Sequence, residues 1–81
     1  MAEKTHHIIM VMDSNVIFES KKYTKKECEE KVDTLIDSCS VNNSYLYLVD
    51  KNDTILNISS SNVLKSLMYI TDKPHKNVDY F

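Results

Sequence analysis

Between Tyr23 and Val41 the apolar positions Cys28, Val32, Leu35, Ile36 and Cys39 recur at offsets of four, seven, eight and eleven residues, which aligns them along one stripe of an α-helix. Thr24 and Glu27 have the T-x-x-E spacing of a capping box, in which each side chain reaches the other's backbone N–H. The start of the helix is therefore marked as well as its buried face. Such a stripe requires a sheet to cover it.

Upstream, His6 to Met12 (HHIIMVM) is β-prone and apolar on both alternating faces, the pattern of a central strand covered on two sides. Asp13, Ser14 and Asn15 form a turn cluster, in which Asn15 is expected to take the left-handed conformation that glycine would otherwise supply. Val16 to Tyr23 returns as a second strand, with Val16 and Phe18 toward the helix and Ile17, Glu19 and Lys21 on the other face.

After the helix, Tyr45 to Asp50 alternates, with Leu46 and Leu48 facing one way and Tyr45, Tyr47 and Val49 the other. Asp50 to Asp53 is a second turn, and Thr54 to Ser59 completes a second hairpin with Leu56 and Ile58 pointing alike. Ser60 and Ser61 suit the cap of a shorter helix over about residues 62–71, its apolar face formed by Val63, Leu64, Leu67, Met68 and Ile70 and its end set by Pro74. Residues 72–81 finish on Tyr80 and Phe81, aromatic where a free terminus is normally solvated, so this tail is expected to dock or to exchange between subunits. The fold class expected is α+β: one small domain over residues 1–81, an antiparallel sheet of two hairpins packed on a central helix in the order ββαββα.

Composition narrows the chemistry. The 81 residues contain no Gly, which excludes glycine-rich phosphate loops. All ten basic residues are Lys and the net charge is −2, so neither a guanidinium fork nor an overall field favours nucleic acid or an anionic membrane. Gly, Ala, Pro and Arg codons are GC-rich, and their scarcity beside abundant Asn, Lys, Ser and Ile points to an AT-rich gene, such as that of a phage, another virus or a low-GC bacterium. No apolar run approaches the ~20 residues of a membrane helix and the N-terminal residues lack a signal-peptide pattern, so the expected compartment is the cytoplasm.

Candidate catalytic groups are sparse. His6 and His7 point to opposite faces of a strand, and with His75 they do not form a chelating set, so they are expected to be surface groups. Cys28 and Cys39, about 16 Å apart on one helix, lie beyond disulfide reach and on the apolar stripe, as core thiols rather than nucleophiles. The acidic Glu29, Glu30, Asp33 and Asp37 describe a solvated helix side. No cofactor, metal site or enzymatic activity is expected.

The sheet face opposite the main helix carries Tyr45, Tyr47, Val49, Ile55 and Ile17, more apolar and aromatic surface than a monomer leaves wet. Either the second helix folds across it or it is an interface, for which Tyr is suited by its ring and hydroxyl. The expected function is that of a small non-enzymatic binding protein, a phage or mobile-element accessory that forms a homo-oligomer and occupies a host protein. The alternative is a sponge that sequesters a small nucleotide signal between subunits, with Tyr45, Tyr47 or Tyr80 stacking the base and Lys21, Lys22 or Lys65 meeting phosphate. The candidate ligand or interface residues are thus Tyr45, Tyr47, Tyr80, Phe81, Lys21, Lys22 and Lys65.

Overall fold

Residues 3–41 and 44–73 are described by the computed structural model. Tyr80 and Phe81, with Pro74, His75 and the tail beyond Lys73, lie outside them. The chain order is β1 (His7–Met12), β2 (Asn15–Glu19), α1 (Lys25–Val41), β3 (Tyr45–Val49), β4 (Ile55–Ser59), α2 (Ser60–Lys65) and β5 (Leu67–Thr71). The strands form two antiparallel sheets, a three-stranded one ordered β2-β1-β5 and the two-stranded hairpin β3-β4. The hairpin-helix-hairpin order is present in a small α+β domain, but the two hairpins do not join in the one sheet expected: β1–β2 takes the unexpected fifth strand, β5, as its third member, and β3–β4 stays a separate sheet.

Two tight turns are built without glycine. Met12 pairs with Asn15 across a two-residue loop whose members Asp13 (φ 52°) and Ser14 (φ 66°) are both left-handed, as a type I′ hairpin requires. Asn15, expected to take that conformation, instead begins β2. In the second hairpin the Asp53 N–H donates to the Asp50 carbonyl, Asp53 is left-handed at φ 61°, and the Asp50 carboxylate accepts from the N–H groups of Asn52 and Thr54.

β2 is shorter than expected, and a bulge changes which of its side chains face inward. Met10 pairs with Phe18 but Val11 pairs with Val16, leaving Ile17 as the extra residue. Directly opposed residues share a face, so Phe18 lies with Met10 while Val16 lies on the other side. Simple alternation had put Val16 and Phe18 together; the bulge instead lets both Ile17 and Phe18 pack against the core. Beyond Glu19 the chain keeps one isolated bridge, His6 to Tyr23.

α1 begins with the capping box its sequence specifies. The Thr24 N–H donates to Glu27 Oε1 at 3.0 Å and the Glu27 N–H to Thr24 Oγ1 at 3.1 Å. Cys28 and Cys39 are buried along the stripe and Leu35 is half-buried, while Ile36 sits at the stripe's exposed margin. Met10, Cys39, Ile58 and Val63 form the core cluster, joined by Leu35, Leu46, Leu48, Leu56 and Met68.

The second helix departs most from the expected 62–71. It spans only Ser60–Lys65, and its N-cap is Ser59, whose hydroxyl accepts from the Asn62 N–H, rather than Ser60 or Ser61. The Ser66 hydroxyl donates to the Val63 carbonyl at 2.7 Å while Ser66 turns extended at ψ 155°, which starts β5. Met68 and Ile70 then oppose Met10 and Ile8, and Leu67 and Tyr69 oppose Val11 and Ile9. The apolar residues expected to form one helix face are therefore divided between a short helix that buries Val63 and a strand.

Candidate functional site

The hairpin β3–β4 has one inward and one outward face, fixed by its register. Leu46 opposite Ile58 and Leu48 opposite Leu56 turn inward, whereas Tyr45 opposite Ser59, Tyr47 opposite Asn57 and Val49 opposite Ile55 turn outward. Tyr45 and Tyr47 remain 69% and 71% exposed, and Val49 and Ile55 are exposed beside them. α2 does not cover this face, because Val63 commits it to the core shared with Met10, Cys39 and Ile58.

A groove of about 640 Å³ runs between α1 and the hairpin. Ile8, Met10 and Phe18 form its floor, Leu35, Thr34, Glu27 and Glu30 contribute from α1, and Leu46 to Val49 form the opposite wall. Consecutive β3 residues alternate faces, so a wall that includes four in succession follows the strand's backbone edge. At one end the Lys31 ammonium lies 4.6 Å from the Tyr23 ring centroid, a distance at which the ring's negative face attracts the cation.

The expected lysines are dispersed around the chain. Lys21 pairs with Asp53 at 2.6 Å, at the β3–β4 turn; Lys22 is exposed after β2. Lys65 borders a separate depression with Asp13, Ser14 and Asn62 at the β1–β2 turn. They form no common cradle beside Tyr45 and Tyr47 within one chain.

His7, expected at the surface, is buried at 2% exposure on the central strand. Among the described residues neither ring nitrogen has a hydrogen-bond partner, and Nε2 lies 3.7 Å from Glu19 Oε2. Burial lowers its pKa below the usual 6.5; Glu19 opposes the shift, while Lys22, Lys51 and His6 add to it. Sequence reasoning missed this placement because adjacent histidines in a strand cannot reveal which face will be closed.

The thiols of Cys28 and Cys39 are buried and desolvation pushes both pKa values up, the reverse of what activates a nucleophilic cysteine. Hydrogen bonds from Thr24 hold the Glu27 carboxyl below its usual range. Among the described residues no group of three or more His, Cys, Asp or Glu is placed to hold a metal ion, and no helix is long and apolar enough to cross a membrane.

The groove and the β3 edge were not expected from sequence, although the uncharged run YLYLV between two turns is the available signal for an unprotected strand edge. The chain matches no family model, no curated protein and no solved structure.

Proposed function

We propose that this chain is a non-enzymatic binding protein that acts by occupying another protein, using the outward face of β3–β4. The exposed Tyr45 and Tyr47 rings, contiguous with Val49 and Ile55, support this conclusion, because aromatic side chains held on a rigid hairpin bury large area at little entropic cost. Self-association through the same face, and an origin as a phage or mobile-element accessory that engages a host protein, are consistent with the Gly-free, Lys- and Asn-rich composition. The dispersal of Lys21, Lys22 and Lys65 weighs against a phosphate-bearing nucleotide as the ligand of a single chain.

Tyr47→Asp tests the assignment. Since the side chain is largely in water, the variant is expected to keep the parent's circular dichroism and melting profile. It should lose both self-association by light scattering and capture of protein from a lysate of the natural host. A variant that melts normally and retains both properties removes this face from the function.

A further inference from the structure

Among the described residues one backbone hydrogen bond joins the two hairpins. The Lys51 N–H donates to the Glu19 carbonyl at 3.0 Å, joining the second residue after β3 to the last residue of β2. No other backbone hydrogen bond links β2 to β3 among the described residues.

The direction of the unpaired groups follows from the ladder. In an antiparallel pair, residues alternate between those bonded to the neighbouring strand and those whose N–H and C=O point away. Ser60 donates to Ser44 and Asp50 donates to Thr54, so in the β3–β4 register the even-numbered residues Leu46 and Leu48 also bond to β4. The backbone groups of Tyr45, Tyr47 and Val49 therefore point away from β4, in the same sense as Lys51, whose N–H reaches β2. These groups form an edge along the groove whose wall is Leu46 to Val49.

Strand edges that must stay alone are normally blunted by a charge, a proline or a bulge. Tyr45–Val49 has none, whereas β2 carries the bulge at Ile17 and the charged Glu19. The groove beside β3 is apolar on its floor, and along the outward side of the same edge the Tyr45 and Tyr47 rings stand exposed on a chain of net charge −2, a surface whose ring faces attract cations.

Resting on the reading of this hairpin as a binding surface, we propose that the β3 edge receives an extended segment of a partner protein by strand addition, the segment alternating apolar with basic residues. The apolar positions face inward onto Phe18, Leu46 and Leu48; the basic ones face outward, over the exposed Tyr45 and Tyr47 rings. Main-chain hydrogen bonds to Tyr45, Tyr47 and Val49 supply affinity, and the alternate side chains supply selectivity.

The test is fluorescence anisotropy of a fluorescein-labelled nine-residue peptide alternating valine and lysine, titrated with the full chain. Saturable binding is expected. Tyr47→Pro removes the central outward donor without removing a bond to β4 and should weaken binding about tenfold or more, as loss of a hydrogen bond at a desolvated edge implies. Tyr47→Val keeps the donor and should bind within about threefold of the parent, a difference under about 0.7 kcal/mol.

Equal losses in both variants assign binding to the ring face alone, overturning strand addition while leaving the proposed function standing. A probe of the same sequence with alternate amides N-methylated tests the same bonds with no change to the protein. Undiminished affinity of that probe overturns the inference, as does absence of saturable binding by the parent. A parent dimer that excludes the probe and admits it only on dilution gives the edge to a second copy of this chain and overturns the partner assignment.

Discussion

His7 Nε2 and Glu19 Oε2 lie 3.7 Å apart, and the same carboxylate oxygen receives the Lys51 ammonium at 3.1 Å. One carboxylate on β2 thus faces both the imidazole of the central strand and the turn of the other hairpin. Because the imidazole is buried without hydrogen-bond partners among the described residues, its neutral form is the one the fold accommodates, despite the attraction of Glu19.

The sign of the pH dependence follows. The folded pKa of His7 is lowered from 6.5, so its contribution to stability is fully present above about pH 6.5 and is lost as pH falls below that value. Urea melts are expected to shift to lower midpoint between pH 8 and pH 5.5, a window above the range in which Glu27 titrates. His7→Phe should flatten the change, and an equal slope in that variant would remove His7 as its source.

The left-handed turn between β1 and β2 is occupied by Asp13 and Ser14, where glycine is the residue of choice. Ser14→Gly is expected to stabilise the chain by about 0.5–1 kcal/mol, since relief of the left-handed backbone cost exceeds the added chain entropy. Denaturant midpoints of the two proteins at unchanged slope provide the comparison.

At the start of α1, Thr24→Ala removes the hydroxyl that accepts from the Glu27 N–H. Stability should fall by about 1 kcal/mol, the usual cost of losing such a cap. Because Thr24 and Glu27 serve one another, a double-mutant cycle with Glu27→Ala is expected to be non-additive, and additive losses would show that the reciprocal bonds are uncoupled.

Cys28 and Cys39 are buried free thiols with raised pKa values. Ellman's reagent at pH 8 should therefore react with neither cysteine on the timescale of an exposed thiol, and with both at once in urea. Rapid reaction of one thiol in the native chain would place it outside the core.

Much of the architecture was legible because local and tertiary preferences agree. The Thr24–Glu27 capping box, the stripe ending at Cys39, and the inward Leu46 and Leu48 are all found where their spacing puts them. β5 was hidden because Val63, Leu64, Leu67, Met68 and Ile70 match a helical period, while Met68 and Ile70 also match a strand's alternation. Ser66 decides between the two, its hydroxyl closing the helix on Val63, and a serine in sequence does not announce which role it will take. The bulge at Ile17 was likewise silent, and it rotated Val16 away from Phe18. Of the site, the outward Tyr45 and Tyr47 followed from alternation, but the groove did not, because it depends on how two hairpins distant in sequence are set beside α1.

Among the described residues, the polar part of the junction between the hairpins consists of one backbone bond and the ion pairs Lys51–Glu19 and Lys21–Asp53, whose lysine side chains are about half in water. Exposed pairs of this kind are screened by salt, while the packing of Met10 against Ile58 and Val63 is not. Ionic strength therefore acts on the joint unevenly: it weakens the hold of the second hairpin's turn on β2 and leaves the apolar anchorage between the hairpins in place, so salt works at the rim of the joint and not at its core.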